Sequence, residues 1–247
     1  KRKYAEIALL HKTQELEKAN SYLDQFVHVA SHDLRAPLRG IMLLSSLIEE
    51  DLQAPVVNPA KMLEHVAMLK GRVKRMDRLL ESLLEFSVSG ANIGQISVFN
   101  TDVQIMETFD FLSSEDSRVN LKLNGKFPKI RSYIVPFSTV VRNLLQNSIK
   151  HSDRTKPLDI TIEVSNHDKY CEFRVMDNGP GIPLEYHKKV FEVFKTLRPR
   201  DEVEGSGMGL PIIQKLLESL GAKIWIDREY KNGACFVFTW NCEIIRE

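Results

Sequence analysis

His32 and Asp33 stand side by side in the string SHDLRAPLRG. A neutral imidazole, with an ordinary pKa of about 6.5, is a competent nucleophile near neutral pH. An adjoining carboxylate can take the proton from Nδ1 while Nε2 attacks. Further on, VVRNLLQNSIKHS sets Asn143 and Asn147 four residues apart, on one face of a helix, with Lys150 three residues beyond. Amide oxygens suit a hard cation, and a lysine suits phosphate. In FRVMDNGPGIP, Asp177 ends a strand-like run and Gly179 and Gly181 follow. Glycines there let the backbone approach a ligand, and the carboxylate can accept a hydrogen bond from an exocyclic base amine. Last, GSGMGLPIIQKLLESLG puts Gly205, Gly207 and Gly209 ahead of a helical run. The free N–H groups and positive end of such a helix suit a phosphate chain. Leu210 follows the last of these glycines. Walker A spacing is absent, because no GK[ST] follows, and no strand runs directly into the glycines as a dinucleotide fold requires. The charged stretch KTLRPRDEVE before them reads as a mobile lid. Taken singly, each segment also has a structural reading: a solvated histidine, a polar helix face, a tight turn, a glycine-rich loop.

These residues need elements to hold them. Residues 1–88 read as helix. With Val27, Leu34, Ile41 and Ile48 at heptad position a, position d holds Leu9, Leu16, Leu23, Ala30, Pro37 and Leu44. That repeat argues a coiled-coil seam, with His32 at the outward f position. Thr13 and Asn20 weaken the seam upstream, and Pro37 should kink the helix. The stretch EEDLQAPVVNP breaks the pattern, and Asn58 before Pro59 reads as an N-cap followed by a first-turn proline. A second helix then carries the stripe Met62, Val66, Leu69, Val73, Met76, Leu80 and Leu83. The result is a helical hairpin with an N-terminal extension. Such a hairpin has too little core to stand alone, so two copies forming a four-helix bundle, a homodimer, is the expected solution.

SGANIG at 89–94 ends the helical part. Beyond it, ISVFN, VNLKL, KIRSYI, DITIEVSN and KYCEFRVMD read as strands, and GAKIWIDREY and GACFVFTW as a terminal strand pair. Helical runs are expected at 102–113, 135–151, 185–192 and 208–220. The whole reads as α+β: the hairpin domain at 1–88, then an α/β two-layer sandwich at 95–247.

Composition narrows the class. The 247 residues are 43% hydrophobic and 27% charged, with a formal net charge of +1. That balance offers no general argument for a nucleic-acid or membrane-surface partner. No apolar run is long enough to span a bilayer, and KRKYAEIALL is no signal-peptide core. Cys171, Cys235 and Cys242 are widely spaced and odd in number, which fits neither a metal pair nor a disulfide framework and suggests a reducing compartment. The basic run Lys70, Arg72, Lys74, Arg75 and Arg78 reads as a solvated helix face, and Trp225 and Trp240 as core or half-core.

Taken together and in this order, the segments resemble the catalytic core of two-component sensor histidine kinases. HDLRAPL looks like the phosphoacceptor box, VRNLLQNSIKHS like the Asn box, DNGPGI and GSGMGL like the two glycine boxes, with Phe191 and Phe194 where an aromatic box would lie. The resemblance implies that His32 is phosphorylated with Asp33 as general base, and that Asn147 ligates Mg²⁺ between ATP phosphates, near Asn143 and Lys150. It implies that Asp177 reads adenine, that Gly179 and Gly181 shape the base pocket, and that Gly205, Gly207, Gly209 and Leu210 serve the lid hinge and phosphates. It implies an ATP-binding sandwich of the gyrase and chaperone type, and a response-regulator receiver domain as partner. A cytoplasmic fragment of a longer protein is expected, a reading that leaves membrane attachment of the full-length protein open. One departure stands out: where many members carry Thr or Asn, four residues after the histidine, this chain has Ala36. That puts regulator dephosphorylation in doubt. A mechanical ATPase of the same superfamily would need an acidic residue on the Asn-box helix, and none lies between Val135 and Ser152.

Overall fold

The computed structural model describes residues 34–53, 55, 58–88, 94–114, 116–193, 195 and 207–245. The heptads upstream of Leu34, together with His32, Asp33, Phe194, Gly205 and most of the lid stretch, lie outside these residues. The chain divides into two compact units between Leu83 and Leu84.

The first unit is a helical hairpin. Its first helix, α1, covers 34–53, and α2 (Pro59–Val88) continues across the unit boundary. On α1 the heptad reading holds: Pro37 and Leu44 are buried, and Leu34, Ile41 and Ile48 are half-buried. The start of α2 is capped as its sequence demands. Asn58 Oδ1 accepts hydrogen bonds from Ala60 N at 3.1 Å and Lys61 N at 3.3 Å, and Pro59 takes the first helical position, where no donor is needed. The expected α2 stripe needs correction at two places. Leu79, not Leu80, is buried, and Val73 and Leu80 are 47% and 42% exposed. Arg72 packs against Gly40 on α1, with Nε and Cδ 3.4 and 3.6 Å from where a Cβ would stand, an ordinary contact distance. The aliphatic stem of Arg72 thus covers the seam that Val73 was expected to cover. Near the hairpin turn, Asp51 meets Lys61 Nζ at 2.8 Å and His65 Nδ1 at 2.9 Å. The Lys61 hydrogen bond holds the Asp51 carboxyl below the usual range.

The second unit holds the larger core. Its five-stranded sheet contains β2 (Val119–Asn124), β4 (Leu158–Asn166), β5 (Tyr170–Asp177), β6 (Ile224–Ile226) and β7 (Cys235–Asn241), in the order β2-β4-β5-β7-β6. β2 runs parallel to β4, and the other pairs are antiparallel. A second sheet of three strands, β1 (Ile96–Asn100), β3 (Lys129–Tyr133) and β8 (Glu243–Ile244), is ordered β1-β3-β8. The helices are α3 (Thr101–Ser113), α4 (Ile134–His151) and α5 (Gly209–Ser219). They share one core with the sheet, as the two-layer reading requires.

Periodicity explains the layers. Leu158, Ile160 and Ile162 alternate inward along β4, and Cys171, Phe173 and Val175 along β5. Against them α4 buries Phe137, Val140, Val141, Leu144 and Leu145 at helical spacing. Phe137 sits at the centre, with ring centroids 5.4 Å from Phe173 and 5.3 Å from Trp240, both edge-on. Trp240 is buried, as read from sequence, and its Nε1 donates to Ser132 Oγ at 3.0 Å.

Two expected elements come out shorter. The helix at 185–192 is two single turns, Leu184–Tyr186 and Lys189–Phe191, held down by buried Val190 and half-buried Phe191. The strand at 221–230 shrinks to Ile224–Ile226. Asp227 then turns the chain, its Oδ1 accepting from Glu229 N at 2.9 Å.

Candidate functional site in the second unit

α4 buries its apolar face and so carries Asn143, Asn147 and Lys150 on a half-buried flank. Asn143 Nδ2 donates to the Thr139 carbonyl at 2.8 Å, one turn back. Its Oδ1 is then directed at the start of α5: a Cβ on Gly209 would lie 2.7 Å from it. With a glycine there, the Asn143 amide reaches the start of α5 without a clash. Asn147 has the opposite character. Its Nδ2 is buried with no hydrogen-bond partner. A buried unsatisfied amide is costly and points to a missing ligand group. An amide is donor at one end and acceptor at the other, so the same side chain fits either a phosphate oxygen or, through Oδ1, a hard cation.

Asp177 lies at the end of β5 and is 6% exposed. Every handle of this residue is held. Oδ2 accepts from Ser148 Oγ at 2.9 Å, and Oδ1 accepts from Gly179 N at 2.9 Å and Ala234 N at 3.0 Å. Its backbone N–H donates to the Ala234 carbonyl at 2.9 Å, and its carbonyl accepts from the Tyr230 hydroxyl at 3.2 Å. Gly233 runs so close that a Cβ there would stand 2.0 Å from the Asp177 carbonyl oxygen. Gly181, at φ 72°, turns the chain back against the Gly233 carbonyl. The carboxylate is thus oriented by fixed donors, with lone pairs left over for one more.

The geometry joins sequence segments that are far apart. Ser148 follows Asn147 on α4 and touches Asp177; Asn143 on the same helix abuts Gly209. Asn143, Asn147, Asp177, Gly179 and Gly209 therefore gather around the end of α4. Met208 precedes α5 and gives it no side-chain cap, so the first N–H groups of that helix are not met from that position. Gly207 and half-buried Leu210 flank this helix start, and Lys150 lies one turn beyond Asn147. Ala36, on α1, is exposed.

Sequence reading passed over Ser148, Tyr230, Gly233 and Ala234. A polar residue beside Asn147 on the core side of α4 was the available signal for Ser148. The other three become visible only when β7 is known to pair with β5.

The comparisons agree with this geometry. Residues 133–244 match the family model for histidine kinase-, DNA gyrase B- and HSP90-like ATPases, and residues 22–92 match the His Kinase A phospho-acceptor domain. Cyanobacterial phytochrome B of Nostoc sp. is 34% identical over 232 residues, which are 91% of this chain and 30% of that protein. The methanogenesis regulatory histidine kinase FilI of Methanothrix harundinacea is 32% identical over 228 residues, 91% of this chain and 25% of that protein. Among solved structures, the catalytic domain of the histidine kinase ThkA superposes with a TM-score of 0.51 at 25% identity, covering 60% of this chain and 96% of that one. ThkA in complex with the response regulator protein TrrA gives 0.66 at 20% identity, covering 92% of this chain and 64% of that one. A phosphoacceptor hairpin followed by an ATP-binding two-layer sandwich defines a class of phosphotransferase. The chain belongs to the sensor histidine kinases and carries the two domains of their catalytic core. It spans 30% and 25% of the length of the two curated relatives above.

Proposed function

We propose that this chain is an ATP-dependent protein-histidine kinase that phosphorylates its own His32 and passes the phosphoryl group to an aspartate of a response-regulator receiver domain. In this reading His32 Nε2 attacks the terminal phosphoryl group of ATP and Asp33 takes the imidazole proton. Asp177 accepts a hydrogen bond from the adenine amine, in the pocket shaped by Gly179 and Gly181. Asn147 supplies an oxygen to Mg²⁺, which would neutralise phosphate charge when bound. Asn143 and Lys150 stand by the phosphates. Gly205, Gly207, Gly209 and Leu210 form the hinge and the helix start that face them. The functional domains are drawn at 1–88 and 95–247.

The observation that carries this reading is the joint between α4 and β5, where a fully oriented buried carboxylate stands one residue from a buried amide that lacks a partner. In this reading the first meets the base amine, and the second offers an unmet N–H donor to a phosphate oxygen. The ThkA structure with TrrA supports a receiver domain as partner. The apolar residues left exposed on the hairpin support a homodimer. Among the described residues, no helix is long and apolar enough to cross a membrane. A cytoplasmic location for this part of the protein belongs to the same proposal, because the reading requires ATP and a receiver domain. Ala36 offers no hydrogen-bonding atom beside the phosphoacceptor, so regulator dephosphorylation is expected to be weak.

The test is a phosphotransfer series. With radiolabelled ATP and Mg²⁺ the chain takes up acid-labile phosphate and loses it to a receiver domain. Asn147→Asp takes up none. Equal labelling of Asn147→Asp and wild type would remove Asn147 from the site.

A further inference from the structure

Cys171 and Cys242 lie 71 residues apart in sequence, yet their Sγ atoms are 3.4 Å apart. Both are held by paired backbone. Cys171 is the second residue of β5, opposite Asn166 on one side and Trp240 on the other. Cys242 is the single residue between β7 and β8, and its N–H donates to the Lys169 carbonyl at 3.3 Å. The two sulfurs therefore face each other at the junction of the two sheets.

We propose that Cys171 and Cys242 form an oxidative modification site, at which a hydroperoxide converts the thiol pair into a disulfide within one chain. A disulfide needs its sulfurs at about 2.05 Å, so they must close by roughly 1.4 Å, within the reach of side-chain rotation. The two thiols differ in access. Cys171 is wholly buried, whereas Cys242 is only partly buried and meets the reagent first. The shared hydrogen bond holds the Cys242 thiol below its usual range and pushes Cys171 above it. The more acidic, more accessible sulfur is thus the attacking one.

The step balances as follows. The Cys242 thiolate attacks one peroxide oxygen, the O–O bond breaks, and the departing oxide is protonated to water or alcohol. Cys242 is left as a sulfenic acid. Cys171 sulfur then attacks Cys242 sulfur, hydroxide leaves, and it takes the Cys171 proton to become water. Two thiols are oxidised and one peroxide is reduced. The new bond ties the start of β5 to the β7–β8 link. It closes a loop that contains the lid and both glycine boxes, while Asp177 stands six residues away at the far end of β5.

Cys235 is the internal control. It sits on β7, is 1% exposed, and burial pushes its thiol up to about 11. The experiment treats the whole chain with hydrogen peroxide, removes the peroxide, blocks remaining thiols with N-ethylmaleimide under denaturing conditions, and maps the products by mass spectrometry. Wild type and Cys235→Ser are expected to lose two hydrogens, yield a Cys171–Cys242 cross-linked peptide within one chain, and regain both thiols with dithiothreitol. Cys171→Ser should instead accumulate dimedone-reactive sulfenic acid at Cys242. Wild type keeping three blockable thiols under peroxide would overturn the proposal. So would a cross-link that joins two chains or uses Cys235. The wild-type mapping needs no variant, so a misfolded serine mutant cannot obscure the answer.

Discussion

The two units build their cores differently. In the second, Phe137, Phe173, Phe238 and Trp240 are almost completely buried, and helices and sheet close over them within one chain. In the first, Leu44 and Leu79 are the buried large side chains among the described residues, while Leu38, Met42, Leu43, Leu63 and Met68 are exposed. A sheet covered by helices buries its apolar face internally. Among its described residues, the two-helix hairpin leaves a second apolar face exposed. The second unit thus closes its core within its own residues, whereas in the proposed reading the first finishes its core against another copy. The proposed function assigns the nucleotide to the self-contained unit and ties the stability of the helical one to assembly.

The largest expected effect tests the self-sufficient side. Phe137→Ala removes the ring that meets Phe173 and Trp240, and should destabilise the second unit by about 3–5 kcal/mol. Its melting temperature, read by calorimetry, should be the same at low and high protein concentration. Leu80→Glu probes the other side. Leu80 is exposed in one chain but lies near the seam, so the charge should weaken dimerisation by more than about tenfold, at least 1.4 kcal/mol. Light scattering should show monomer at concentrations where wild type is dimeric, with ATP affinity unchanged. A fall in ATP affinity would mean that the two units are not independent.

Within the cradle the expected effects are smaller. Asp177→Asn exchanges an acceptor oxygen for a donor and should weaken adenine-nucleotide binding by about 10- to 100-fold, the scale of a charged hydrogen bond. A guanine nucleotide should lose less. Ser148→Ala leaves the carboxylate in place but removes one of the donors that orient it. The cost should be about 1 kcal/mol, or roughly fivefold in ADP affinity by titration calorimetry. Ser148→Thr should recover most of it, because the hydroxyl is kept.

Much of this was legible from residue order. The cap at Asn58, the a and d positions of α1, the sides of α4 and the alternation along β4 and β5 follow from local periodicity and turn chemistry. What escaped depends on tertiary pairing. Leu79 is buried in place of Leu80, and Arg72 packs at Gly40 on the opposite helix, neither of which a single-helix pattern holds. Ser148 acquires its role only when β5 places Asp177 beside α4. Gly233 and Ala234 join the site only through the β5–β7 register. The thiol pair was invisible for the same reason: spacing along the chain says nothing about Cys242 returning to the start of β5. The segment at 185–192 failed as a helix because turns this short are set by what Val190 and Phe191 bury, not by propensity.

The central claim is that a nucleotide held in the second unit phosphorylates a histidine in the first. The most direct measurement compares wild type with His32→Gln, giving each radiolabelled ATP and Mg²⁺ and titrating each with ADP. The account predicts acid-labile label on wild type, none on His32→Gln, and the same ADP affinity for both. Acid-labile label on His32→Gln, at a level matching wild type, would contradict it.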